Sequence, residues 1–271
     1  MLTVIVIAKE CLPGRVKTRL TPDVTFEQAA LVASASLIDT LDVVRALPAT
    51  RRILAFDGDP ANAPAQAAGF DLIPQVTGAL DARLADIFAH CSGPTLLVGM
   101  DTPQLTQQNL APVLAWAQAL DGATPPTLTS PTLAPPTLGP PTLSEGAPDA
   151  PTGSTPGAWL GLSTDGGFWA LAMATPDGSL IDGVPMSQDD TGRVQLSRLQ
   201  QAGLVVGLLD ELTDVDTALD AAHVAALAPT GRFAAAWCAA TETATTSQTS
   251  APTPTPTPEA SAPRELVEAR S

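Results

Sequence analysis

Arg15, Lys17 and Arg19 alternate along one short segment, with Gly14 just before them and Lys9 upstream. The chain holds only 13 Lys and Arg against 28 Asp and Glu, a formal net charge of −15. So dense a group of cations in so acidic a chain needs an anion to explain it. The segment follows an apolar run, Leu2 to Ala8, whose Val4, Ile5, Val6 and Ile7 read as a fully buried strand. A buried strand opening into a basic loop with glycine is how an α/β sheet presents a phosphate site. In that reading Lys9, Arg15, Lys17 and Arg19 supply charge-assisted donors, and Gly14 lets the backbone come close. A solvated basic turn accounts for the same residues without a ligand, and the segment alone does not choose. The loop is not a Walker motif, because Gly-Lys-Thr/Ser with its upstream glycine is missing.

Carboxylates gather at three other places. A second apolar run, Thr95 to Met100, delivers Asp101, followed by Thr102-Pro103. One carboxylate at a strand tip suits a hard divalent cation, which takes one or two protein carboxylates and fills its shell with phosphate and water oxygens. The competing role for Asp101 is to cap a helix that begins near Thr106. Asp165-Gly166-Gly167 permits a tight hairpin, or lets a ligand lie against bare backbone. Asp214-Val215-Asp216 precedes a further helix, so that one Asp serves as N-cap while the other faces a metal.

Other chemistries are set aside. His90 and His223 are the only histidines and have no metal-ligand spacing, which argues against zinc or a Ser-His-Asp triad. Cys11, Cys91 and Cys238 are odd in number and widely spaced, so no disulfide framework is expected. Cys11 lies in the basic loop, as a reactive thiol or as a small filler residue. The strong negative charge argues against nucleic acid and anionic membranes as partners. The N-terminal apolar run is too short to span a membrane and lacks a basic flank, and the expected location is the cytoplasm.

The elements that must position these residues follow from periodicity. Strands are expected at Met1–Ala8, Arg51–Phe56, Phe70–Pro74, Thr95–Met100, Trp159–Leu162, Phe168–Ala174 and Leu204–Leu209. Helices are expected at Thr25–Leu47, Gly78–His90, Thr106–Leu120, Asp189–Ala202 and from Asp216 or Thr217 to about Leu227. Thr25 and Gln28 have capping-box spacing. Strands alternating with helices imply α/β architecture, a mostly parallel sheet with helices on both faces. Between 123 and 157 the composition turns to Pro, Thr, Ser and Gly, with Pro-Thr-Leu recurring at Pro126, Pro131, Pro136 and Pro141. That segment and residues 241–271 are expected to be disordered, leaving one domain over 1–240.

In this order the motifs resemble one family, DUF2064, a GT-A-like group also labelled selenodomain-associated transferases. Its opening Ala-Lys…Pro-Gly-x-Val-Lys-Thr-Arg-Leu is similar to Ala8-Lys9 and Pro13–Leu20. Its Gly-x-Asp-x-Pro-x-Leu is similar to Gly99–Leu105, and its Gly-Pro-x-x-Asp-Gly-Gly-aromatic to Gly161–Phe168, with Leu162 in place of Pro. Val184-Pro185-Met186-Ser187, Asp190-Thr191 and Asp214–Thr217 complete the set.

The resemblance implies a single GT-A-like, Rossmann-like domain of the nucleotide-diphospho-sugar transferase superfamily. It implies that Lys9, Gly14, Arg15, Lys17 and Arg19 hold nucleotide phosphates, with Lys17 and Asp101 catalytic. Asp101, with Asp216 second, would ligate Mg²⁺ or Mn²⁺, and Asp165, Gly166 and Gly167 would line the acceptor or base pocket. The implied partners are a nucleotide sugar or NTP and a small-molecule acceptor. Three activities fit: a GT-A-type glycosyltransferase, a guanylyltransferase-like nucleotidyltransferase releasing pyrophosphate, or a catalytically silent nucleotide-binding protein. Base, sugar, acceptor and oligomeric state are not legible.

Overall fold

The computed structural model describes residues 1–122 and 155–249. Among these residues seven strands make one sheet: β1 (Thr3–Lys9), β2 (Arg51–Asp57), β3 (Asp71–Pro74), β4 (Thr95–Gly99), β5 (Ala158–Ser163), β6 (Phe168–Met173) and β7 (Val206–Leu212). Their order is β3-β2-β1-β4-β6-β5-β7. All neighbouring pairs are parallel except those of β6, which runs antiparallel to both β4 and β5. The carboxyl ends of β1, β4, β5 and β7 and the start of β6 therefore share one edge. Among the described residues six helices accompany the sheet: α1 (Phe26–Ala46), α2 (Leu80–Ala89), α3 (Gln107–Gly122), α4 (Thr191–Gln201), α5 (Ala218–Leu227) and α6 (Arg232–Thr249). The expected mostly parallel α/β sheet, covered on both faces, is the fold observed.

Alternation along each strand decides which layer a side chain enters. Val4, Val6 and Ala8 of β1 pack with Leu54, Val98 and Ala172 against α1 and α3. Ile5 points the other way, with Ile53, Leu97 and Leu171, against Leu84, Ile87 and Phe88 of α2 and Leu199 of α4. Because both faces of the central strands are covered, no polar position interrupts their core, which is why they read as continuous apolar runs. Gly161 of β5 is required by packing: a Cβ there would run into the Trp169 ring. Trp169 Nε1 in turn donates to the Asp210 carbonyl at 3.1 Å.

The N-terminus of α1 forms as its spacing predicts. Gln28 N donates to Thr25 Oγ1 at 3.2 Å, and Thr25 N donates back to Gln28 Oε1 at 2.8 Å. The expectation of disorder from 241 needs correction: α6 continues to Thr249. Its apolar positions Phe233, Ala234, Trp237 and Ala240 recur at helical spacing and pack with Ala29 and Val32 of α1 and Val224 of α5. Gln28 Nε2 also donates to Thr243 Oγ1 at 2.9 Å, tying residue 243 to the body. The other stretch expected to be disordered, 123–157, ends earlier than supposed. Gly157 N donates to Val205 O at 2.8 Å, and Trp116 Nε1 donates to Pro156 O at 2.7 Å. The rest of that stretch, 123–154, and residues 250–271 lie outside the described residues. No helix among those described is long and apolar enough to cross a membrane.

Helix α6 is pinned through its first turn. Asp39 of α1 accepts from Phe233 N at 2.9 Å and from Arg232 Nη1 at 3.2 Å. Its carboxylate thus satisfies an N–H that the helix cannot satisfy itself. Asp39→Ala is expected to cost about 1–3 kcal/mol, seen as an earlier urea midpoint. An unchanged midpoint would show that α6 does not depend on this clamp.

Candidate functional site

Asp101 stands just beyond β4, and its backbone is fixed on two sides. Its carbonyl accepts from Val215 N at 2.9 Å, and Gln104 Nε2 donates to Thr213 O at 2.7 Å. These two bonds lash the β7–α5 connection to the tip of β4. From the other direction Ser36 Oγ of α1 donates to Met100 O at 2.6 Å. Neither Asp101 nor Asp216 is used as a cap. The turn before α3 is closed by Thr106 and Asn109, whose side chains exchange bonds with each other's backbone N–H. The α5 terminus is capped by Thr217, with Asp220 Oδ2 accepting from Thr217 N at 2.7 Å. Both alternatives left open by the sequence are thereby resolved, and both carboxylates remain available.

They converge on Lys17. Its Nζ lies 2.7 Å from Asp101 Oδ1 and 3.4 Å from Asp216 Oδ1, and its side chain is only 8 % exposed. Arg19 Nη1 reaches Asp216 Oδ2 at 3.3 Å from the solvent side. Lys17 is delivered by a left-handed backbone, φ 46 and ψ 38, a conformation that L-residues adopt at a cost of order 1 kcal/mol. Burial works against the Lys17 charge, yet Asp101 and then Asp216 outweigh it and hold its pKa above the ordinary lysine value. The ammonium is therefore a permanent cation between two carboxylates.

Asp214 is the acidic residue whose importance the sequence understates. Burial, then the charges of Asp101 and Asp165, push its carboxyl up to about 7, against the pull of Lys17 and the Ser163 hydroxyl. Cys11 is pushed further from reactivity. Burial and the Asp101 charge raise its thiol to about 12, which excludes the reactive-thiol reading at neutral pH.

A cleft of about 770 Å³ opens along this edge of the sheet. Lys9, Arg15, Lys17, Arg19, Asp101, Asp165, Gly167 and Asp216 all line it, so eight of the ten expected site residues meet there. Gly14 and Gly166 do not. Gly14 is a left-handed turn residue, φ 72, with no neighbouring atom where a Cβ would point. Gly166, φ 88, serves the protein itself: a Cβ would overlap the Asp189 carbonyl, and its own carbonyl accepts from Gly192 N at 2.8 Å. The Asp-Gly-Gly turn thus packs the β5–β6 hairpin onto the start of α4, rather than leaving room for a ligand at Gly166. Asp165 Oδ1 closes the turn by accepting from Gly167 N at 2.9 Å.

Gln75 and Arg83, which sequence reasoning missed, also line the cleft. Gln75 Nε2 donates to Ala8 O and Ala55 O, each at 2.9 Å, sealing the ends of β1 and β2. Arg83 Nη1 donates to Asp57 Oδ2 and Gln75 Oε1, each at 3.0 Å. No pattern in the sequence connects these positions, because the turn after β3 brings Gln75 back across two strand ends. A neighbouring cleft of about 510 Å³ lies between the start of α2 and residues 183–187, and it shares Leu80, Arg83 and Ser187 with the larger one.

The residues present fit a divalent ion. Two carboxylates already bracket one cation, the Lys17 ammonium, at hydrogen-bonding distance. Among the described residues no group of three or more His, Cys, Asp or Glu is arranged to hold a metal. An ion here would take Asp101 and Asp216 and complete its shell from phosphate and water, as Mg²⁺ and Mn²⁺ do.

Residues 40–127 match the model of the family described as "Uncharacterized protein conserved in bacteria (DUF2064)". No curated protein matches the chain. Among solved structures, the chain is similar to a candidate nucleotide-diphospho-sugar transferase of Desulfovibrio desulfuricans G20. Identity is 20 %, the TM-score is 0.60, and the match covers 81 % of this chain and 84 % of that one. A homolog of Mycobacterium tuberculosis Rv0371c from Mycobacterium sp. strain JC1 matches at 16 % identity and TM-score 0.44, over 84 % and 97 % of the two chains. A nucleotidyl transferase from Methanothermobacter thermautotrophicus matches at 12 % identity and TM-score 0.45, over 85 % and 99 %.

The Gly166 geometry gives a direct test. Gly166→Ala is expected to destabilise the fold by about 3 kcal/mol or more, from a left-handed backbone and an overlap with main chain together. Thermal denaturation measures it. A melting temperature equal to that of the unsubstituted protein would show that the hairpin can move away from Asp189.

Proposed function

As residues 40–127 match the DUF2064 model and the chain shares the fold of a nucleotide-diphospho-sugar transferase, we propose that it is a metal-assisted transferase acting on a nucleotide-activated donor. The observation that carries this is the convergence of Lys17, Asp101 and Asp216 inside a cleft rimmed by Lys9, Arg15 and Arg19. An acidic protein that concentrates its scarce cations around a carboxylate pair is suited to a ligand that brings both phosphate and metal. Asp101 and Asp216 would hold Mg²⁺ or Mn²⁺, which supplies charge neutralisation at the phosphates.

The chain's own residues divide the remaining work. Lys9, Arg15 and Arg19 lie on the exposed side of the loop and would orient the diphosphate by charge-assisted bonds. Lys17 would neutralise charge that develops on the departing phosphate oxygen, in a pocket where solvent screens it little. Asp165, on the hairpin facing the cleft, would position the acceptor, with Asp214 beside it. The tying of residues 213–215 to β4 would keep Asp216 and Asp101 in register during turnover.

With a sugar as the transferred group, the enzyme breaks the sugar–phosphate bond and releases a nucleoside diphosphate. We take this glycosyl transfer as the primary reading, a nucleotide sugar being the donor and a small molecule the acceptor. One observation favours a second reading. The cations of the loop exceed what a single acidic pair needs, and that excess suits a departing pyrophosphate, hence nucleotidyl transfer from an NTP.

The experiment is a product assay. The full chain is incubated with NTPs or nucleotide sugars, a panel of hydroxylated acceptors and Mn²⁺. Nucleoside diphosphate marks glycosyl transfer, and pyrophosphate marks nucleotidyl transfer. Asp101→Asn is expected to lower kcat on the order of a hundredfold or more. Thermal stabilisation by nucleotides without any released phosphate species would leave a binding protein and overturn the transferase reading.

A further inference from the structure

The place between Asp101 and Asp216 is already filled by a cation of the protein's own. Lys17 Nζ touches both carboxylates, at 2.7 and 3.4 Å. Its side chain is almost wholly withdrawn from solvent, although the loop that carries it is exposed on both sides, at Arg15 and at Thr18 and Arg19. A lysine on a flexible surface loop does not reach inward by default. Here a left-handed residue turns it in, Val16 beside it is buried as an anchor, and Leu20 closes the loop from the core. The loop is built so that this one ammonium reaches both carboxylates, while Arg19 reaches only Asp216, from the solvent side.

The groups facing Lys17 come from every element around it. Asp101 follows β4, Asp214 and Asp216 precede α5, and Asp165 closes the β5–β6 hairpin and adds to the charge on Asp214. Arg19 is the other cation on Asp216. A divalent ion entering between Asp101 and Asp216 would meet the ammonium at contact distance, and two cations cannot share that space. One must leave.

We infer that Lys17 is an internal counter-ion that keeps the metal position closed, and that the divalent ion displaces it into the cleft, where it meets the donor phosphates. Metal entry and release of the lysine are then one event. The protein binds metal weakly alone and tightly with a phosphate ligand, because only that ligand gives the displaced ammonium a new partner. This builds on the metal-assisted reading proposed above. It adds that Lys17 is a device coupling metal binding to donor binding, beyond its place as a phosphate ligand. An ammonium suits the role, being compact and flexible on its stem, where a guanidinium would hold its carboxylates in a fixed fork.

The test uses the full chain, Mn²⁺ followed by electron paramagnetic resonance, and inorganic pyrophosphate as the phosphate probe. Without pyrophosphate, Lys17→Met is expected to bind Mn²⁺ at least tenfold more tightly than the unsubstituted protein. Pyrophosphate should tighten Mn²⁺ binding to both proteins through its own oxygens, but several-fold more for the unsubstituted protein than for the Met variant. A second measurement needs no substitution. Acetylation of Lys17 by an amine-reactive ester, read by mass spectrometry, should rise several-fold on adding Mn²⁺ and fall again with pyrophosphate. Equal or weaker Mn²⁺ binding by Lys17→Met, or labelling indifferent to Mn²⁺, overturns the counter-ion inference. Asp101→Asn and Asp216→Asn separate the two levels. If neither weakens Mn²⁺ binding, the metal assignment itself fails. If both do while the Lys17 results are negative, only the counter-ion inference falls.

Discussion

Carboxylates forced together need a cation, and this constraint organises the whole edge of the sheet. Asp101 and Asp216 come from segments far apart in sequence, yet Val215 N bonded to Asp101 O leaves them no freedom to separate. Two like charges that both reach one ammonium repel each other unless that cation lies between them. The fold answers with Lys17, in a strained backbone conformation that serves no turn a glycine would not serve better. Asp214 is pushed up to about 7 first by burial and then by the same field, through the charges of Asp101 and Asp165. The strain at Lys17 and part of the shift at Asp214 thus answer one concentration of negative charge. Such concentrations persist where function needs them, since stability alone would have placed neutral residues there.

What could be read in the sequence was what depends on local periodicity. The apolar runs of β1 and β4 are continuous because both faces of the sheet are covered, and each run delivers its functional residue at the carboxyl end. The Thr25–Gln28 box marked the start of α1 to the residue. Arg15, Lys17 and Arg19 stood out because the rest of the chain is acidic. What escaped depends on contacts between distant segments. Gly166 looked like space for a ligand, whereas the space belongs to the Asp189 backbone. Asp216 was a candidate cap until Thr217 and Asp220 took that role between them. Gln75 and Arg83 have no signature, since their position follows from the path of the turn after β3. Helix α6 did carry a signal, the spacing of Phe233, Trp237 and Ala240, but its alanine and threonine content merged with that of the tail beyond.

The acidic envelope and the basic loop are complementary. Away from the cleft a net charge of −15 repels polyanions, so nucleic acid and anionic surfaces find no long-range attraction. The loop sets Lys9, Arg15 and Arg19 at the exposed rim of the cleft, with Lys17 buried behind them, so under the reading proposed above these three are what an arriving phosphate compound would meet first.

The position of β6 explains why the Asp165 hairpin and the Asp101 strand tip can be so close. In a wholly parallel sheet the turn after β5 would lead into a helix, and the next strand would begin at the far edge. Inserting β6 antiparallel between β4 and β5 brings the hairpin 164–167 back beside Asp101. The hairpin is then braced on the start of α4, where Gly192 N bonds to Gly166 O and Thr191 Oγ1 donates to Pro185 O at 2.8 Å. Asp165 is therefore held by main-chain packing, while the Lys17 ammonium is held by its carboxylates and by the buried anchors Val16 and Leu20 of its loop. Under the transferase reading proposed above, motion is expected in the basic loop, and the hairpin would be the fixed reference against which a transferred group is aligned.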